Sequence, residues 1–287
     1  MTVFVHIGLI KTGSTFLQKH VFPQLAHALS YYGPTARFPD PSLLSLQQSM
    51  LISNENLGGN PLSPTKQGVS LFEQFKVCID ATCSIFNRPR LIIGFREPAS
   101  FVQSVYKQHL HERGVFTWEE FLGHYSTQLV EDVNFQEYIK HAQSRLDPHE
   151  LFLFRQDELW KRRAALMEEL MRFLCLNEVE TPTIEPGRAA NSSVPLRFEN
   201  TLRRLNLLNQ GFRNLTSKNL GIRIRGKVFN PTFVCRTILP KLIGEGSAER
   251  DLSELKRAYA EDWRCASEMI SLSRDLHAAA LERERCP

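Results

Sequence analysis

The chain alternates between short unbroken apolar runs and longer stretches in which an apolar residue returns every third or fourth position. Val3 to Ile7 is the first run, apolar but for His6, and stops at Gly8, and Leu91 to Phe95 and Leu151 to Phe154 repeat the pattern. Runs without polar alternation fit strands covered on both faces, as in a parallel sheet. Helical spacing fills the stretches between them: Ser14 to about Leu29, with Pro23 kinking or ending its first half; Ser63 or Thr65 to about Phe86; Ala99 to about Glu112; Phe135 to Arg145; and Lys161 to Leu174. Thr117 with Glu120 three residues on has the spacing of a capping box, so a further helix opens there. Pro34, Pro39, Pro41, Gly58, Gly59, Pro61 and Pro64 predict a loop-rich excursion around the short apolar piece Met50-Leu-Ile52.

Strands alternating with helices predict an α/β protein with a central, mainly parallel sheet between two helical layers. From Glu178 to Pro195 the composition turns to Pro, Gly, Thr, Ser and Asn, which predicts a long loop. Beyond it the pattern is helical, at roughly Leu196–Asn209, Thr232–Ile243 and Ser247–Leu276. No convincing sheet is visible there. The expectation is therefore one domain over residues 1–287, with a core to about 195 and a helical extension from about 196.

Composition narrows the class. The 287 residues are 42% hydrophobic and 23% charged, ordinary for a globular chain and unlike a disordered one. No run of about eighteen apolar residues predicts a membrane span, and no basic, then apolar leader precedes the first strand. Cys78, Cys83, Cys175, Cys235, Cys265 and Cys286 are scattered without metal-ligand spacing, which fits reduced thiols and a cytoplasmic location. The net charge of +4 is mild but uneven: eight Lys and Arg lie between Arg197 and Lys227 against the single acid Glu199. No nucleic-acid motif and no interleaved aromatics accompany that stretch, so a nucleic-acid partner is not expected.

Candidate chemistry begins where the first strand meets the first helix, at Gly8-Leu-Ile-Lys-Thr-Gly-Ser-Thr15. Gly8 and Gly13 flank four residues as in a P-loop, which cradles phosphate on backbone N–H groups at a positive helix end. The position after Gly13, where a kinase or ATPase keeps lysine, is Ser14, and the lysine sits inside the loop at Lys11. The fold expectation is thus P-loop NTPase-like with the cation displaced. Leu91 to Phe95 likewise ends in Arg96, followed by Ser104 on the next helix. A P-loop NTPase commonly holds magnesium with an aspartate near such a strand end, so arginine there argues against a metal-bridged triphosphate.

Together, Lys11-Thr-Gly-Ser-Thr15 after a strand and Arg-x-Pro-x5-Ser-x-Tyr from Arg96 to Tyr106 resemble the motif pair of the PAPS-dependent sulfotransferase family, in its bacterial, carbohydrate-type branch. The resemblance implies that Lys11, Thr12, Gly13, Ser14 and Thr15 hold the 5′-phosphosulfate of 3′-phosphoadenosine 5′-phosphosulfate (PAPS), and that Arg96 and Ser104 hold its 3′-phosphate. It implies sulfuryl transfer without a metal. Phe152 to Leu159 resembles the family's strand with an acidic turn, and Arg188-Ala-Ala-Asn-Ser-Ser193 resembles a late loop that closes over the nucleotide. The likeness touches most of residues 1–193, strongly at two motifs and loosely elsewhere. Some members carry a second basic residue where this chain has Phe101, and Arg188 is the candidate to replace it.

Transfer to a hydroxyl needs an acceptor for its proton. Glu55, in Leu51-Ile-Ser-Asn-Glu-Asn-Leu57, resembles a glutamate that faces the acceptor in bacterial members, and is the candidate base. His6 reads as orienting or packing the loop, while His109 and His111, beyond Ser104, are candidate acceptor contacts. Phe116, Trp118 and Phe121 read first as core. The expected acceptor is a saccharide, a glycolipid or another hydroxylated molecule, less readily an amine. A P-loop kinase or NTPase and a nucleotide-binding module without catalysis are the rival readings.

Overall fold

The computed structural model describes residues 2–34, 49–55, 57–60, 62, 69–177, 179–182, 194–216, 221–224, 227–243 and 249–285. Strand β1 (Val3–Ile7) leads into α1 (Ser14–Phe16), which continues as a π turn over Leu17–Val21 and a 3-10 turn over Phe22–Leu25. The helix thus ends four residues before the predicted Leu29, with Pro23 at the start of the tighter turn where its missing N–H matters least. Strands β2 (Ser30–Tyr32) and β3 (Met50–Asn54) follow, then α2 (Leu71–Ile85). Residues 69 and 70 lie outside the helix and the Ser70 hydroxyl accepts from the Glu73 amide, which corrects the predicted start at Ser63 or Thr65.

Strand β4 (Arg90–Phe95), α3 (Pro98–His111), α4 (Trp118–Asp132), α5 (Phe135–Arg145) and β5 (Leu151–Arg155) come next. The predicted capping box is formed at α4: the Thr117 amide donates to Glu120 Oε2 at 2.7 Å and the Glu120 amide to Thr117 Oγ1 at 3.2 Å. Helix α6 (Glu158–Lys161) is separated from α7 (Arg163–Phe173) at Arg162, whose φ of −137° is not helical. The helix predicted from Lys161 to Leu174 is thus α7, starting two residues later, and α6 is a short additional helix ahead of it.

The extension holds α8 (Leu196–Thr216), β6 (Ile222–Ile224), β7 (Lys227–Phe229), α9 (Pro231–Phe233), a π turn over Val234–Ile238, α10 (Leu239–Ile243), α11 (Ser253–Ala258) and α12 (Ala260–Arg285). The short antiparallel pair β6–β7 falls between two predicted helices of a stretch expected to be mostly helical and without a convincing sheet, and Tyr259 splits the last predicted helix. No helix among the described residues is long and apolar enough to cross a membrane.

The five main strands form one parallel sheet in the order β2-β3-β1-β4-β5. Alternate strand residues feed two cores. Phe4, Leu51, Ile92, Phe152 and Phe154 pack with α1 and α7, whereas Val5, Ile52, Leu91, Ile93 and Leu153 pack with α2, α3, α5 and α12. The architecture is the expected three-layer α/β/α, P-loop-like in its opening β-loop-α unit. Helix α12 returns from the extension to lie on α5 and β5.

This order sets the position of the site. From β1 the chain leaves toward β2 and β3, while from β4 it leaves toward β5, so β1 and β4 are neighbours whose connections diverge. A crevice opens at the carboxyl ends of such a pair. The Gly8–Thr15 loop and Arg96 are the segments that follow those two strands.

Candidate functional site

Local geometry explains the shape of the loop. Lys11 has φ 64° and Gly13 φ 99°, two left-handed residues in a segment of three. Gly13 needs its freedom twice, since a Cβ there would also overlap the Leu159 side chain. A Cβ on Gly8 would overlap Ser14 Oγ and come within 2.7 Å of Glu55 Cα. The loop and the Glu55 segment are therefore in backbone contact. Gly13 caps α1 without a side chain, and its carbonyl accepts from the Phe16 amide at 2.9 Å.

The loop hydroxyls divide into different tasks. Thr12 is fully buried and its Oγ1 donates to the Leu9 carbonyl at 2.7 Å, a latch within the loop. Thr15 Oγ1 donates to Glu55 Oε2 at 3.2 Å, so this hydroxyl orients the carboxylate. Ser14 Oγ is buried and has no partner among the described residues. Burial lowers the Lys11 pKa; Glu55 and Glu112 oppose that shift and Arg96 adds to it. The cation thus stands between two carboxylates and a guanidinium.

Arg96 joins the two motifs. Its Nη1 donates to the Lys11 carbonyl at 3.2 Å and to Ser104 Oγ at 3.1 Å, while its buried Nε has no partner. Burial lowers the Arg96 pKa and the Glu97 charge opposes that shift, but the Glu97 carboxylate makes its hydrogen bonds elsewhere, capping α3 by accepting from the Ala99 and Ser100 amides at 3.0 and 2.9 Å. Arg155 lies in register with Phe95 at the same edge of the sheet and sits 3.8 Å from Asp157 and 3.9 Å from Glu158. Lys11, Thr12, Gly13, Ser14, Thr15, Glu55, Arg96 and Ser104 are thus brought together. Arg188 lies outside the described residues.

Beneath the loop, His6 Nδ1 lies 2.8 Å from Ser53 Oγ, which also accepts from Gln18 Nε2 at 3.1 Å. Burial pushes the His6 pKa down to about 3, so the ring is neutral and braces β1 against β3. In the unfolded chain it returns to about 6.5, and the unfolded state then binds more protons between those two values. Stability is expected to be flat above pH 6.5 and to fall below it, by about 1.4 kcal/mol per pH unit for this group at the steepest. Urea unfolding from pH 7 to 4 measures the slope. In His6→Asn it should flatten by about one proton, and an unchanged slope would remove His6 as its source.

The two other histidines part ways. His109 stacks on Phe116, with centroids 5.1 Å apart and planes 11° apart, and also packs on Phe121. It belongs to an aromatic cluster in which Tyr106 meets Trp118 and Phe121, in line with the core reading of those rings. His111 lines a cavity of about 290 Å³ with Arg113, Asn206, Asn230, Thr232 and Arg236 among others. Its pKa is pushed down to about 4 by burial, then by Lys11, Arg236 and Lys107. The Val194 amide donates to His111 Nε2 at 3.4 Å, which leaves the proton of the neutral ring on Nδ1.

Sequence reasoning missed Gln18, Ser53, Asn206, Asn230 and Arg236. Asn206 and Asn209 carried a usable signal: two poor helix formers three apart in a helix, both buried. Asp147, His149 and Glu150, neighbours along the chain, also bring their ligand atoms within 4.8 Å of one another. Arg88 binds both carboxylates there, at 3.0 and 2.7 Å, so the cluster is an ion-pair network.

No protein-family model and no curated protein matches the chain. Among solved structures, it is similar to a crystal structure of a sulfotransferase from Alicyclobacillus acidocaldarius, at 10% identity and a TM-score of 0.44, over 77% of this chain and 97% of that one. At that level the likeness carries no weight for the chemistry of this chain.

Proposed function

We propose that the chain is an enzyme that moves a sulfuryl group from PAPS to a hydroxyl, less readily an amine, of a saccharide, glycolipid or other hydroxylated acceptor, releasing adenosine 3′,5′-bisphosphate. One observation carries this reading above the others: Arg96 bonds both the Lys11 carbonyl and Ser104 Oγ. Two anion-seeking pieces, far apart in sequence, therefore share one crevice at the diverging strand pair. Such a crevice suits a molecule with anionic groups at two ends.

The residues fit that donor. Ser14 Oγ and Arg96 Nε are buried without partners, and an unpaired buried polar group costs about 1–3 kcal/mol, which an oxyanion would offset. Lys11 and Ser14 would hold the 5′-phosphosulfate, and Arg96 and Ser104 the 3′-phosphate. When bound, PAPS supplies the transferable sulfuryl group and an anionic leaving group. The chain's own part is positioning and charge: Lys11 stabilises negative charge in a partly desolvated loop, and Glu55, oriented by Thr15, takes the acceptor's proton. Thr12 keeps the loop in shape rather than touching the donor. A cytoplasmic location and independence of metal are part of the same proposal.

The kinase or NTPase reading loses on particular residues. Ser14 replaces the P-loop lysine, and the guanidinium of Arg96 would repel a divalent cation at the strand end. A catalytically silent module would not need a carboxylate held beside Lys11. Thermal shift separates the readings: adenosine 3′,5′-bisphosphate should raise Tm without magnesium, and stabilisation by ATP with magnesium alone would overturn the proposal. Arg96→Ala should weaken the bisphosphate by about 10- to 150-fold, the span of one or two lost charge-assisted bonds, as measured by calorimetry.

A further inference from the structure

Resting on the sulfuryl-transfer reading, we propose that the cavity lined by His111, Arg113, Asn206, Asn230, Thr232 and Arg236 is an acceptor subsite for a sugar ring bearing an oxyanion, either a carboxylate or a sulfate already in place. Its volume of about 290 Å³ lies at the lower end of ligand pockets, which suits one small head group rather than the length of a polymer.

The hydrogen-bonding inventory favours a polyol. Asn206 Nδ2 donates to the Leu110 carbonyl at 2.9 Å and to the Gly114 carbonyl at 2.8 Å, so both amide protons are used and Oδ1 remains to accept. Asn230 is the converse: its Oδ1 caps α9 by accepting from the Phe233 amide at 2.7 Å, which leaves its NH₂ to donate. Thr232 can do either, and neutral His111 keeps its proton on Nδ1. Acceptors and donors side by side match the paired character of sugar hydroxyls. Phe233, also on the wall and partly exposed, adds a flat apolar face.

Charge then selects among sugars. Arg113 and Arg236 both line the cavity, and among the described residues no acidic side chain lines it and Arg236 has no ion-pair partner. An uncharged sugar would leave the Arg236 guanidinium unpaired, whereas an oxyanion gives it a charge-assisted, potentially bidentate bond. Location ties the cavity to the donor crevice. His111 lies on α3, the helix that carries Ser104, and feels both Lys11 and Arg236. Neither of these cations, Arg113 and Arg236, belongs to the basic run from Arg197 to Lys227.

Titration of the full chain with methyl glucoside, methyl glucuronide and the sulfate ester of methyl glucoside, followed by NMR, tests the assignment. Both anionic probes should bind about tenfold more tightly than the neutral one. Arg236→Ala should erase that preference and Arg236→Lys should keep part of it. Equal binding of all three probes, or an Arg236→Ala variant that still prefers anions, would overturn the proposal. Adenosine 3′,5′-bisphosphate titrated into the same samples reports separately on the donor. Its failure to bind the wild-type chain would overturn the sulfuryl-transfer reading, while the anion preference would still stand for the cavity as a sugar site.

Discussion

Lys11→Ala is expected to all but abolish turnover of PAPS, with kcat reduced by about a hundred- to a thousandfold, in a protein that melts no lower than wild type. Both halves follow from the same burial. A cation in a partly desolvated loop acts on developing charge far more strongly than one in water, and loss of one such donor costs about 2.7–4 kcal/mol of transition-state stabilisation. The desolvation that sharpens the lysine also lowers its pKa, and Arg96 adds to the effect. Holding the charged form there therefore costs stability, and removing it relieves the cost. Radiolabelled PAPS turnover beside a melting curve reads both. Substantial activity in the variant would discard the loop assignment, and a collapse in Tm would make Lys11 a structural residue.

Glu55→Gln is the second large effect. The amide keeps the shape and can still accept from Thr15 Oγ1, so the loop should keep its geometry and adenosine 3′,5′-bisphosphate its affinity. It cannot take a proton. The expected fall in kcat is about 10²- to 10⁴-fold, the usual share of a general base, with donor affinity unchanged within a few-fold. A variant with wild-type kcat would move the base elsewhere. His111 would be the neighbour to examine, although its Nε2 already accepts from the Val194 amide.

Much of the core and of the candidate crevice was legible in the sequence, because β1, β4 and β5 are largely apolar runs and the first two lead into the Gly8–Thr15 loop and Arg96. Lys11 and Arg96 announce themselves by standing where a kinase would have other residues. Strand β3 was read only as an apolar piece in a loop, because its last residues, Ser53 and Asn54, are polar and prolines crowd its flanks. Strand β2 has three residues and half-buried aromatics, too few to show a period. The cavity around His111 and Arg236 was the least legible part. Asn206 comes from α8, Asn230 and Arg236 from around α9, and His111 from α3, and the packing of α8 on α3, on α9 and on the following π turn brings them together. The breaks at Arg162 and Tyr259 were equally hidden, since both residues are ordinary helix formers and tertiary packing overrides their preference.

The bond from Arg96 to the Lys11 carbonyl makes the crevice a ruler. A single guanidinium fixes the interval between the two cationic stations, so what is measured is the spacing of charges along a ligand and not their number. A nucleotide with three phosphates in a row carries ample negative charge, but all of it at one mark of the scale. A nucleotide with phosphate at both ends of its ribose reaches both marks at once.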